Sequence, residues 1–387
     1  MKRNVAILAI CQALMMSGNS LLVTATALVG LQIAPQPQWA TIPFALMFVG
    51  VIITTYPASM MMQKVGRKAG FTLGAVLGVS GGVVSAWSIM QQSFIGFCLG
   101  SMLLGAFNAF GQYYRFAAAE AASDQLRSRA ISYVLAGGVL AAFAGPNLAK
   151  ITRETFGAEF SGNYACIALI YCCSLLLIQG LRLKEDGSET AEAQSISLMD
   201  VLRRPHFVIA VASGMVGYGV MNLLMTATPM AMIDCGFHFD QTASVIQWHV
   251  FGMFAPAFFT GHLIERFGAY RVMIAGTIAL LLSCLTNLGG VAYWQFLTSL
   301  VLLGIGWNFC FIGATSLLTR DAVAKGKVQG LNDLLVFLTV AITALISGQL
   351  HHYLGWQAIS LYVIPVILLV TIILFVSLVR QRHLAPG

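Results

Sequence analysis

The segment "SLLVTAT" (Ser20–Thr26) returns 202 residues later as "NLLMTAT" (Asn222–Thr228). At the same offset Gly50 is matched by Gly252 and Gly66 by Gly268. The chain has 387 residues, so the offset is about half its length and marks an internal duplication. Repeats on this scale set an architecture before any local element is read. "SLLVTAT" lies inside an apolar run, Val5 to Ile33, that is too long for the core of a signal peptide and has no clear cleavage site. It reads as a first membrane span.

Outward from that run the pattern continues. Hydrophobic residues make up 58% of the chain and charged residues 9%, against about 25% charged in a soluble domain. Apolar runs of membrane-spanning length predict twelve spans at approximately 5–33, 39–63, 69–90, 93–122, 128–150, 161–183, 206–234, 241–266, 270–288, 291–320, 325–351 and 355–380. The one long polar segment, "LKEDGSETAEAQSISLMDVLRRPH" (Leu183–His206), divides them. The expected fold is an all-α membrane protein of twelve transmembrane helices in two pseudo-symmetric six-helix halves. The halves are 1–183 and 206–387, joined by a cytoplasmic linker at 184–205.

With the N-terminus in the cytoplasm, 18 of the 21 Lys and Arg residues lie on the cytoplasmic side or its interface. Lys150 and Arg153 face outward, and Arg115 lies within span four. This matches the positive-inside rule and places both termini in the cytoplasm. Topology also accounts for the net charge of +7, which elsewhere would suggest nucleic acid; none is expected here. The eight cysteines form no CxxC pair, disulfide framework or zinc spacing. There is no Walker loop, nucleophile triad or paired-carboxylate signature, so no enzyme is expected. The lipid bilayer is the expected surrounding partner, and the expected state is a monomer.

The loop after span two, "SMMMQKVGRKAG", contains Gly66-Arg67-Lys68, with Gln63 where an acidic residue is usual. Its counterpart "GHLIERFGAYR" keeps Gly261, Glu265, Gly268 and Arg271. These loops resemble the signature of the major facilitator superfamily. The resemblance implies alternating access by two rocking halves, with Gly66, Arg67, Lys68, Glu265, Gly268 and Arg271 at the cytoplasmic hinge and gate.

Two motifs address the cargo. "MNLLM" places Met221 and Met225 four residues apart in span seven, and "WHVFGM" places His249 and Met253 four apart in span eight. Such pairs share one helix face. The spans are antiparallel neighbours, so Met221 is expected level with Met253 and Met225 with His249, near the bilayer midplane where carrier sites lie. Thioethers and imidazole suit Cu(I), whereas the absence of a carboxylate disfavours magnesium, calcium and manganese. Ordinary packing is the competing reading, because methionine fills gaps in apolar helices. Met232 continues the Met221 face outward. Cys235 and His238 follow at the span mouth as a metal relay, with a buried thiol and a solvated histidine as the plainer reading.

This layout with both motifs resembles the CcoA-type copper importers of bacterial inner membranes. That resemblance implies import of copper, handled as Cu(I), to supply cytochrome oxidase assembly, with Met221, Met225, His249 and Met253 as transient ligands. Copper is then the transported substrate, and no organic cofactor is implied. A sister branch with the same layout imports riboflavin, so a small organic cargo is the alternative. A non-transporting copper receptor or assembly factor is another. Coupling or gating candidates are Arg115, with Glu120 and Asp124 nearer the cytoplasm, and Asp333 beside Asn332 and near Lys327. Under the organic reading Arg115 holds an anionic group. His351 and His352 read as a solvated loop.

Overall fold

In hydrocarbon each backbone N–H and C=O must be satisfied within its own segment, which turns apolar runs into helices. The computed structural model describes residues 2–120, 127–182, 204–318 and 325–384. Among them every regular element is an α-helix apart from one 3₁₀ turn, Pro37–Trp39. In chain order the helices are α1 (Lys2–Ile33), α2 (Ile42–Val65), α3 (Arg67–Met90), α4 (Phe94–Gly111), α5 (Tyr114–Glu120), α6 (Arg127–Thr152) and α7 (Ser161–Gln179). They continue with α8 (Pro205–Asp234), α9 (Phe239–Phe254), α10 (Ala257–Phe267), α11 (Ala269–Leu288), α12 (Tyr293–Leu318), α13 (Lys325–Leu354) and α14 (Trp356–Leu384). The expected linker lies outside the described residues except for Arg204 and Pro205.

These helices make twelve spans. Ten are long and apolar enough to cross a membrane as they stand. The other two are α6, which carries Arg127, Arg129, Asn147 and Lys150, and span eight, which is divided into α9 and α10. Span four is likewise interrupted, at Gln112 and Tyr113 between α4 and α5. Both had been expected as continuous runs.

Two compact units appear. One takes the described residues of 1–189 with Gly236–Val250; the other takes those of 190–235 and 251–387. Their internal pairings follow the repeat. In the first, α1 packs on α6, and α3 on α4 and α7. In the second, α8 packs on α13, and α11 on α12 and α14. Span one on five is thus repeated as seven on eleven, three on four as nine on ten, and three on six as nine on twelve.

The matched glycines have matched causes. A Cβ on Gly50 would collide with the carbonyl oxygen of Met102, and one on Gly252 would lie 2.9 Å from that of Val301. Each marks a close helix crossing that only a hydrogen side chain admits. Gly66 (φ 85°, ψ 155°) and Gly268 (φ 84°, ψ 153°) share a backbone conformation. Each is at once the last cap of one helix and the first cap of the next. One residue therefore reverses the chain, in a region of φ/ψ space essentially reserved for glycine.

The first half of span eight belongs to the first unit. Asn147 donates to Gln247 Oε1 at 3.1 Å and Lys150 Nζ to Ser244 Oγ at 2.9 Å. Arg153 pairs with Glu159 and lies 4.9 Å from the Phe239 ring centroid. Lys150 and Arg153, the two basic residues that depart from the charge asymmetry, are therefore committed to local partners.

Span eight divides at Pro256, which has no N–H to continue the ladder. Asn308 on α12 repairs the break. Its amide donates to the Met253 carbonyl at 2.6 Å, and its side-chain oxygen accepts from Thr260 Oγ1 at 2.7 Å. One buried amide thus holds both sides of the interruption. Asn308→Ala is expected to cost about 1–3 kcal/mol, because it leaves buried polar groups unmatched. In a Pro256→Ala background that cost should shrink, since the helix can recover its own bonds. Thermal melting of the four proteins in detergent checks this; equal losses in both backgrounds would refute it.

Candidate substrate site

The metal-motif side chains are all buried: Met221 is 2% exposed, Met225 5%, His249 0% and Met253 7%. Met221 and Met225 lie on α8 and Met253 on α9, all in the second unit, while His249 falls in the first. Met232 is fully buried on α8. Cys235 and His238 are exposed, the first in the second unit and the second in the first. Partial burial, and then the Asp234 carboxylate, push the Cys235 thiol upward, away from the thiolate form that ligates metals. Among the described residues no group of three or more His, Cys, Asp or Glu is placed to hold a metal ion. All eight cysteines are free.

The residues expected at the gate lie at or near the two single-glycine turns. Arg67 opens α3, and Lys68 Nζ donates to the Gln179 carbonyl at 2.7 Å. Glu265 lies near the end of α10, and Arg271 donates to the Phe267 carbonyl at 3.5 Å. Arg115 is half-buried on α5. Glu120 ends that helix, and its side chain, like Asp124 and the side chain of Lys327, lies outside the described residues. Asp333 accepts a hydrogen bond from Asn332 at 3.1 Å. His351 is not in a solvated loop: it sits in the last turn of α13, and its Nε2 pairs with Asp234 Oδ2 at 2.8 Å.

Two polar and aromatic features were not read from the sequence. In the first unit Asn19 and Asn108 exchange amide hydrogen bonds at 2.6 and 3.0 Å, joining α1 to α4. In the second, Tyr218 on α8 stands 5.3 Å from Trp307 and 5.8 Å from Phe311 on α12, and 6.3 Å from Phe337 on α13. Trp307 and Phe311 stack at 5.2 Å with their planes 8° apart, and Phe254 meets Trp307 edge-on at 6.1 Å. A signal for this cluster was present. Trp307 lies near the middle of its span, whereas Trp39, Trp294 and Trp356 lie at span ends, where tryptophan usually sits at the headgroup level.

Twelve spans in two repeats of six, each repeat with a single-glycine reversal after its second span, match a known family model. The model of the Major Facilitator Superfamily covers residues 8–255 and 213–387. The chain belongs to the major facilitator superfamily.

Solved facilitator-fold structures agree with the chain's fold. The nucleoside transporter NupG superposes with a TM-score of 0.76 at 11% identity, covering 96% of this chain and 99% of that one. A D-xylose-proton symporter superposes at 0.74 and 15%, covering 95% and 96%. At such identities the likeness concerns the fold alone. Among curated facilitators, the riboflavin transporter RfnT of Brucella anthropi is 38% identical over 383 residues, 97% of this chain and 96% of that protein. YdeG of Bacillus subtilis, an uncharacterized facilitator-type transporter, is 27% identical over 381 residues, 93% and 88%. This facilitator is thus a multi-pass membrane transporter and not an enzyme.

Proposed function

We propose that this facilitator imports a small organic molecule, riboflavin or a close chemical relative, across the bacterial cytoplasmic membrane by alternating access. The observation that carries this reading is the 38% identity to the riboflavin transporter of Brucella anthropi along nearly the whole of both chains. Both termini lie in the cytoplasm, and the single-glycine turns at Gly66 and Gly268 form the cytoplasmic hinge. Expression in a riboflavin-auxotrophic bacterium should restore growth at limiting riboflavin and raise uptake of labelled riboflavin at least tenfold over the empty strain. Membrane-inserted protein that restores neither growth nor uptake overturns the reading.

Copper is the second reading; it rests on the residue types and spacing of Met221, Met225, His249 and Met253, whose side chains are buried. Here the metal is cargo, held by neutral soft ligands and released without a thiolate cage. The two readings separate in one assay. Met221→Leu combined with His249→Ala should leave riboflavin uptake within about twofold of wild type under the organic reading. Under the metal reading it should abolish copper accumulation. Vesicles that bind copper without accumulating it would point instead to a receptor.

A further inference from the structure

We propose that the aromatic cluster around Trp307 is the subsite that takes the flat ring of the cargo, with the Trp307 indole N–H donating to a ring carbonyl. This assignment rests on the organic reading above and deepens it by naming the part of the substrate that the second unit recognises.

Three observations meet at this place. Trp307 is only 6% exposed, and its Nε1–H finds no acceptor among the described residues. A buried indole N–H ordinarily has a partner, and one left without it in a membrane interior is costly because no water substitutes. Next, the surrounding rings are aromatic on all the contributing helices: Tyr218 from α8, Phe254 from α9, Phe311 from α12 and Phe337 from α13. Each of these four is half-buried, so Trp307 forms the floor of the cluster and the others its more exposed walls. Finally, the floor is anchored. The neighbouring Asn308 is tied to Met253 and Thr260 across the break in span eight, which fixes the backbone that carries the indole.

The chemistry that fits is narrow. Stacking surfaces select a flat, electron-poor ring. The indole N–H only donates, so it selects an acceptor such as a carbonyl, and the Tyr218 hydroxyl can add a second hydrogen bond; none of the five rings carries a charge, which suits a neutral group. A flavin ring, flat and bearing two carbonyls, has this character; a sugar or polyol chain does not. A ring entering the cluster displaces one half-buried wall by a χ1 rotation and brings its carbonyl to the indole. The cost of the unpartnered N–H in the empty state then becomes part of the selectivity, since a ring lacking the acceptor leaves it unrelieved.

Binding of riboflavin to the purified full-length protein in detergent tests this, measured by equilibrium dialysis. Lumichrome, the ring system without the ribityl chain, should compete, whereas ribitol in hundredfold excess should not. Trp307→Phe keeps the stack and removes the donor, and should weaken riboflavin binding about tenfold with the melting temperature retained. Trp307→Ala should weaken it further; if that variant does not fold, Trp307→Phe and the wild-type competition still decide. Wild-type protein that binds riboflavin while Trp307→Phe binds it equally well overturns the assignment and leaves the proposed function standing, as does competition by ribitol and not by lumichrome. Wild-type protein that binds no riboflavin overturns both.

Discussion

Gly105→Ala should nearly abolish the folded protein. A Cβ at this position would collide with the carbonyl oxygen of Met47, an atom of the α2 backbone that no rotamer change can move aside. The two helices would have to separate along their crossing, and with them the pairing of spans two and four. Overpacking a close contact costs about 1–3 kcal/mol; a collision with backbone belongs at the top of that range or beyond it. Detergent-extracted Gly105→Ala should therefore run as aggregate in size-exclusion chromatography, with less than about a tenth of the wild-type monodisperse yield. The control is Gly261→Ala. A Cβ there meets nothing within 4 Å, and alanine favours the α10 helix by up to about 1 kcal/mol. Its melting temperature should be unchanged or raised. If Gly105→Ala behaves like Gly261→Ala, the α2–α4 crossing described here is wrong.

Gly268→Ala should be nearly as damaging for a different reason. No heavy atom lies within 4 Å of the added Cβ, so sterics with neighbours contribute nothing. The penalty is in the backbone, whose φ of 84° and ψ of 153° suit glycine almost alone. A cost of about 3 kcal/mol is expected, with a matching loss at Gly66→Ala. Asparagine distinguishes this strain from an ordinary left-handed turn. It tolerates the compact left-handed region, but not the extended one found here, so Gly268→Asn should not rescue. Melting curves of Gly268→Ala and Gly268→Asn check the point, and a full rescue by asparagine would contradict it. If these turns are the cytoplasmic hinge, uptake should fall by more than the loss of folded protein explains.

Proline shows why a sequence reading stops where it does. Pro57, Pro146, Pro229 and Pro365 all lie inside continuous helices, whereas the helix stops before Pro256. At Pro256 the amide of Asn308, brought by another span, takes the carbonyl that the break frees. His351 makes the same point: it looks like a loop residue until α8 and α13 bring Asp234 to it. The metal motifs were legible as residue types and spacings. Met221 and Met225 lie on one continuous helix, α8, but Met253 and His249, four residues apart, divide between the two units.

The sequence by itself determined the architecture. Period, span length and charge asymmetry are one-dimensional properties, and the bilayer converts them directly into helices, their number and their expected direction. The paired glycines were legible as a repeat for the same reason. Only the tertiary structure decided what each glycine is for, which span is broken and what holds the break. It also decided that Trp307 meets Tyr218, Phe254 and Phe311, with Phe337 joined through Tyr218, while its N–H stays without an acceptor among the described residues. Apart from the Trp307–Phe311 stack within one helix, these are contacts between residues tens to more than a hundred positions apart, set by which helix faces meet, and hydropathy carries no record of that pairing.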